Sequence, residues 1–369
     1  MNTEEDEAGL FEAVRHGDID QLRDLLARLR APLPAGLLDH ARACVRTGAE
    51  AELERLTGLA GPAVRTRLWE ETGCWYEELE LGGRTLRDGH SAILTELERR
   101  ARLRVPFGDL LDRALAHPDR DHAAWAQAVS ELGDRQDDET WAAAETLSED
   151  PDPLHRLFAA DVLLCLVVAD LANEDGPFLR RAAELVPWAL REPDPAVLDV
   201  LLNTLTWTDS QKVKGVGIAY AAHPDPAVRG WVPQLLDHEE HEEHEEPAGD
   251  GAAEPGALTP PSLTPPSLAA LLALARDPDA GVRARACSWM LHQPVRAPEI
   301  ADALYELTRD ERRRTRIDAV AALAHRDDPR CVAAEARIGP LEDGLDPDGL
   351  PLLAVWYHQR RMEERAGDA

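Results

Sequence analysis

The chain is poor in the residues that build sheets and in those that mark chemistry. Its 369 residues include only four Phe and four Tyr, and Lys212 and Lys214 are its only lysines. Ala, Leu, Arg, Glu and Asp dominate instead, a mixture that favours helix over strand. The use of Arg for almost all positive charge reads as the codon bias of a GC-rich genome, not as a functional choice. Five cysteines (Cys44, Cys74, Cys165, Cys287 and Cys331) are widely spaced and form no CxxC pair, so neither a zinc ribbon nor a disulfide framework follows. Several fall in apolar helical stripes, where a buried reduced thiol is expected. No hydrophobic run is long. The most apolar stretch, residues 159–172, is interrupted by Asp161 and Asp170 and falls short of the roughly 20 residues of a membrane span, so a buried helix of a soluble protein is expected there. The start, MNTEEDEAGL, has no basic-then-apolar leader, and the cytoplasm is the expected compartment. No dinucleotide fingerprint, phosphate loop, nucleophile elbow, HExxH or calcium loop occurs. A protein without catalytic function and without cofactor is therefore expected.

What is present is acid and repetition. The formal net charge is −30, which repels a phosphate backbone or an anionic membrane and favours a basic protein partner. In residues 267–294, Leu268, Leu271, Leu272 and Ala275 share one helical face. Asp277-Pro278 then breaks the helix, and Asp279 is placed to cap the next one. That second helix carries Val282, Ala286, Trp289 and Met290 on one side and stops at Pro294. The Asp-Pro turn recurs, with its Asp at 119, 152, 194, 225, 279 and 310. The spacing is close to that of two three-turn helices plus their loops.

The pattern D-P-x-x-x-V-R-x-x-A, seen in residues 277–286 and in part in 225–229, resembles the HEAT repeat, especially the short bacterial form first noted in bilin lyases. The resemblance covers residues 105–335 and implies an all-α fold, a solenoid of antiparallel helix pairs of the armadillo-like kind. It also implies that an Arg early in the second helix pairs with the turn Asp of a neighbouring repeat, and that second helices line the concave face. The N-terminal residues 10–18, followed by Leu22, Leu25, Leu26 and Leu29, resemble an ankyrin hairpin, with a second copy in residues 37–56. From Trp69 to His90 the pattern loosens, and Gly82-Gly83 marks a loop or short hairpin.

These observations give four segments: helical hairpins capping the array (1–104), HEAT-like repeats (105–236), a disordered His/Glu- and Pro-rich linker (237–267), and further repeats with a cap (268–369). The linker holds nine acidic residues and no Lys or Arg, a composition that cannot support a core.

Three groups of residues are candidates for a site. His238, His241 and His244, spaced by three, would come together on a helix and bind a soft divalent metal weakly and adventitiously. The run 309–316 contains five arginines (Arg309, Arg312, Arg313, Arg314 and Arg316), among which Arg314 and Arg316 are candidates for partner contact and pairing with turn carboxylates is the plainer role. The nine tryptophans sit mostly at core spacing, yet Trp and Arg anchor interfaces. Arg229, Trp231, Arg283, Arg285 and Trp289 are accordingly expected to form an exposed strip. The function expected is a monomeric scaffold, adaptor or regulator that presents an acidic groove to a basic protein. A HEAT-like DNA glycosylase and an antitoxin-type inhibitor are the alternatives, the first opposed by the charge.

Overall fold

The computed structural model describes residues 3–30, 32–70, 73–172, 176–208, 211–236, 263–293, 297–338 and 353–367. The histidines at 238, 241 and 244 and most of the 237–267 segment lie outside the described residues. The chain divides into two compact units, Met1–Phe178 and Leu179–Ala369. It is mostly helical. It is not all-α, because the first unit contains a small sheet.

The first unit opens with helix pairs Thr3–His16/Ile19–Arg28 and Leu37–Thr47/Ala49–Thr57, where the Leu-rich stripes predict them. Between the first two, Gly17 takes φ 69° and Asp18 caps the next helix by accepting from the Gln21 N–H at 3.0 Å. A Cβ on Gly17 would lie 2.0 Å from the Arg87 carbonyl oxygen, so both the backbone angle and the close approach require glycine there.

Three antiparallel strands follow: β1 (Val64–Trp69), β2 (Trp75–Leu81) and β3 (Arg84–Arg87), in the order β1-β2-β3. Gly82 and Gly83, at φ 58° and 76°, close the β2–β3 hairpin with Leu81 paired to Arg84. A two-residue loop with both angles positive matches the twist of the strands. The sheet packs Leu79 and Leu86 against Ala49 and Leu53 of the preceding helix. The expectation of an all-α chain fails here for a physical reason. Almost every residue of β1 is exposed, so no buried face produces a period of two in its sequence.

Helices His90–Arg100, Phe107–Leu115, Ala123–Gly133, Asp138–Thr146 and Pro153–Ala169 complete most of the unit. The last carries the apolar stretch, and its Asp161 is buried among apolar neighbours because it has partners. Its carboxylate accepts from Trp125 Nε1 at 2.9 Å and from Arg120 Nε at 2.9 Å. Asp170 Oδ2 accepts the Phe178 N–H at 2.8 Å.

In the second unit, helices Pro195–Leu205, Pro226–Leu235, Ala280–His292 and Arg313–His325 pack each against the next. Asp194, Asp225 and Asp279 cap the first three by accepting backbone N–H groups from the first turn, as Asp152 does in the first unit. Two residues before these caps, Glu192, His223 and Asp277 accept the N–H of the capping residue itself. Asp310 fills that earlier place, accepting from the capping residue Arg312, whereas Asp119 accepts from Asp121 and lies three residues before the cap His122. They are therefore two and three residues out of step, respectively, with the other repeated aspartates. Val282, Ala286, Trp289 and Met290 are buried together as their spacing predicts. The helix ahead of them, Pro265–Leu274, starts inside the stretch expected to be linker, with its prolines in the first turn, where the missing N–H costs nothing.

Candidate functional site

The sequence-predicted arginines divide by what they touch. Arg229 donates to the Asp277 carboxylate from Nε at 2.7 Å and from Nη2 at 2.8 Å. Its Nη1 donates to the His223 and Pro224 carbonyls of its own turn. Arg283 repeats the arrangement one hairpin later. It reaches Asp310 at 2.6 Å and Glu311 at 3.0 Å in the next turn, and the Asp277 and Pro278 carbonyls of its own. Arg316 holds the Asp310 and Glu311 carbonyls. The next turn carboxylate, Asp328, is already bound by Arg330 at 2.6 Å, and Arg316 Nε is buried without a hydrogen-bond partner among the described residues. All three guanidiniums thus bond the turn before their own helix, and Arg229 and Arg283 also clamp the following turn, which a lysine could not do. The Arg229–Asp277 pair holds the Asp277 carboxyl below its ordinary value although burial opposes it.

Trp231, Arg285 and Trp289 are placed differently. Trp289 is buried, 6% exposed, in the core of the second unit. Trp231 is half-buried and donates from Nε1 to Asp199 at 2.7 Å. Arg285 is exposed and lies over the Trp231 ring with its guanidinium carbon 4.7 Å from the centroid. Gly230 permits this approach, since a Cβ there would stand 2.8 Å from Arg285 Nη1. Asp199, Trp231 and Arg285 therefore line up across three successive helices. Arg314 is exposed and bonds Asp318 at 3.0 Å, while Arg309 covers the Tyr305 ring at 4.7 Å. The five arginines of 309–316 do not converge on one point.

The first unit contains a cluster that sequence reasoning missed. Asp88, at the end of β3, places Oδ2 3.3 Å from His122 Nε2 and 3.5 Å from His117 Nδ1. The two imidazoles stack with centroids 4.0 Å apart and planes within 4°. Trp75 meets His122 edge-on at 4.8 Å, and Arg67 covers Trp75 at 3.7 Å. A cleft of about 600 Å³ beside them is lined by Glu50, Arg65, His90, Ser91 and His117 among others. Burial opposes charge on Asp88, but the hydrogen bonds from His122 and the Glu77 N–H and the nearness of the two imidazoles outweigh it and keep the carboxyl below its ordinary value. Burial, followed by the nearness of His122, pushes His117 down.

One carboxylate and two histidines are metal-ligand types, but their geometry does not fit an ion. The Ala124 N–H donates to His122 Nδ1 at 3.1 Å, which places the ring proton on Nε2, facing Asp88. A metal on Nε2 would move that proton to Nδ1, against the Ala124 N–H. Stacked parallel rings also aim their lone pairs side by side instead of at one point about 2.0–2.1 Å from each nitrogen. The cluster is a polar lock that joins the sheet to the N-terminus of helix Ala123–Gly133. Its partners are far apart in sequence, and the local signal was limited to two histidines five apart in a Pro/Asp loop.

No protein-family model matches the chain, and no curated protein matches its sequence. Among solved structures, the X-ray structure of YibA from Escherichia coli is similar with a TM-score of 0.47 and 13% identity, covering 69% of this chain and 93% of that one. A likeness that distant carries no functional argument. Among the described residues no helix is long and apolar enough to cross a membrane.

Proposed function

We propose that the chain is a non-catalytic scaffold or regulator built from HEAT-like stacked helix pairs, whose acidic surface binds a basic protein or peptide. One observation carries this reading. In the second unit the arginines Arg229 and Arg283 are drawn into the stack, with side chains 11% and 17% exposed. The carboxylates Asp302, Glu306 and Glu311 stand outside at 67%, 58% and 72%. Each of these carboxylates has an arginine partner, but a formal net charge of −30 leaves acid in excess over the chain, and that excess would steer a basic partner. The Trp231–Arg285 pair adds residue types that anchor interfaces, one of them pinned by Asp199.

The test is titration of the full chain with a labelled Lys/Arg-rich peptide at low and moderate salt, followed by capture of the stoichiometric partner from host extract. Salt-sensitive binding that weakens on Trp231→Ala and does not weaken on Arg285→Ala, which removes a like charge, supports the reading. Preferential binding of duplex DNA, or no binding of the basic peptide at low salt, overturns it.

A further inference from the structure

The small sheet of the first unit has two edges, and the chain treats them differently. The outer edge of β3 is covered. Gly17 comes so close to the Arg87 carbonyl that a Cβ would lie 2.0 Å from it, and the Arg87 side chain is ion-paired with Asp18. β1 has no such cover among the described residues. Five of its six residues are exposed, and Val64 and Trp69 at its ends are 66% and 61% exposed.

The hydrogen bonds show which backbone groups of β1 are open. Trp75 and Glu77 of β2 turn their backbone away from it. The Trp75 N–H donates to the Asp121 carbonyl at 2.8 Å, and the Glu77 N–H donates to the Asp88 carboxylate at 2.7 Å. The Glu77 carbonyl accepts the Asp88 N–H at 3.0 Å. Alternation along a strand then leaves Tyr76, Glu78 and Glu80 to bond β1, opposite Leu68, Thr66 and Val64. The Glu70 N–H continues that series to the Cys74 carbonyl at 2.7 Å. Arg65, Arg67 and Trp69 therefore point N–H and C=O outward, and these groups have no partner among the described residues. The open series ends at Ala63, whose N–H donates to the Glu50 carboxylate at 3.2 Å.

An open edge is normally blunted by proline, a bulge or free charge. β1 has no proline and keeps an unbroken register with β2 from Val64 to Trp69. Its two arginines are not free charges. Arg65 bonds Glu77 at 2.5 Å and Glu50 at 2.8 Å. Arg67 lies over the Trp75 ring of β2 at 3.7 Å, with Asp119 4.0 Å away.

We infer that β1 pairs antiparallel with β1 of a second copy of this chain, across a two-fold axis at Arg67. The strand is its own complement in that register. Arg67 meets its own counterpart, Arg65 meets the partner's Trp69, and Trp69 meets the partner's Arg65. Every outward N–H and C=O of the three residues is then used. A cation faces an aromatic ring at both ends. The like charges at the centre are kept apart, because each Arg67 guanidinium is drawn inward over its own Trp75. Such a contact is isologous and closes as a dimer. One short strand a side is far less than the roughly 20–30 residues of a standard interface, so the dimer is a weak one. Two copies that each carry −30 repel one another at a distance, so salt should strengthen this contact. Binding of a basic partner, proposed above, should weaken with salt, and the two do not depend on each other.

The experiment is sedimentation equilibrium of the full chain from about 10 μM to about 1 mM, at low and moderate salt. A monomer–dimer equilibrium that tightens with salt is expected. Trp69→Lys sets a cation opposite the partner's Arg65 at an exposed position. It should weaken association about tenfold or more while melting stays parental. Arg67→Pro removes the central bonds and leaves the β1–β2 ladder whole, because the Arg67 N–H faces outward, and it should abolish the dimer. Oxidation reads the register. Residues paired in this way stand about 5.5 Å apart at Cα, within reach of a disulfide. Arg67→Cys should link to its counterpart well beyond the background of the parent chain. Arg65→Cys should not, since its counterpart lies more than about 13 Å away along the strand. A chain that stays monomeric at about 1 mM in moderate salt leaves the edge to an extended segment of another protein and overturns the inference. Dimerisation of Arg67→Pro at parental strength overturns it too, as does self-linkage of Arg65→Cys as ready as that of Arg67→Cys.

Discussion

The two units use ionic groups in opposite ways. In the second, one arrangement recurs. A turn acceptor and an arginine six residues later bond within the hairpin, as His223 and Arg229, Asp277 and Arg283, and Asp310 and Arg316 do, and Arg229 and Arg283 also reach the next turn at Asp277 and Asp310. In the first, repetition is broken by β1–β3, and polar groups from distant segments converge in clusters that differ from one another, as Asp88 does with His117 and His122 and Asp161 with Arg120 and Trp125. A repeated device needs only local sequence rules. A unique cluster needs a fold that brings remote residues together. The comparison teaches that a periodic sequence advertises its stacking chemistry and conceals its singular sites.

Removing a buried anchor of the first unit should have the largest effect. Trp125 is 1% exposed and bonded to Asp161, so Trp125→Ala should cost about 4 kcal/mol in denaturant unfolding. A much smaller loss would mean that the first unit is less tightly packed than its core implies. Next comes a clamp of the second unit. Asp277→Ala leaves Arg229 with its charge poorly matched and removes a turn acceptor, an effect of about 3 kcal/mol. If the change costs no more than an exposed pair does, the clamp is decorative and the contrast between the units fails.

Gly17→Ala should cost about 2 kcal/mol through its positive φ and the clash with the Arg87 carbonyl. Retention of parental melting would show that this corner relaxes freely.

A smaller effect should appear on acidification. Burial pushes His90 and His117 down in the first unit and His325 down in the second, among the described residues. Because the unfolded chain binds these protons more readily, stability falls as pH drops below the unfolded value of about 6.5. The fall continues until the lower folded values are passed. Melting curves from about pH 8 to about pH 5 should show His117→Gln flattening this dependence. An unchanged slope would remove His117 from the account.

The smallest effect belongs to Arg276→Ala. Its partner Glu306 and its own side chain are 58% and 55% exposed, so the change should stay within about 0.5 kcal/mol. Set beside Asp277→Ala, it isolates burial as the variable.

Much of the helical framework was legible. The stripes at 268–275 and 282–290 form helices, and the aspartates at 152, 194, 225 and 279 cap as their position predicts. Asp119 and Asp310 were read out of step with their caps His122 and Arg312, because an aspartate can accept a backbone N–H at more than one place in such a turn. The sheet was illegible because β1 buries almost nothing and only the Gly82-Gly83 hairpin left a mark. Among the candidate site residues, Arg229 and Arg283 turned out to be structural clamps, and Trp289 is buried where an exposed strip was expected. Trp231 and Arg285 do come together, a contact between separate helices that neither sequence spacing reveals.

A stack in which each hairpin reaches forward to the next has a direction, and nothing in such a contact closes on itself. Left open, its last face would accept another copy of the chain as readily as another hairpin, the route by which head-to-tail contacts grow into fibres. In the second unit that face is covered by the chain itself: helix Leu353–Gly367 packs on helix Arg313–His325, and its Arg361 bonds Asp327 at 2.8 Å.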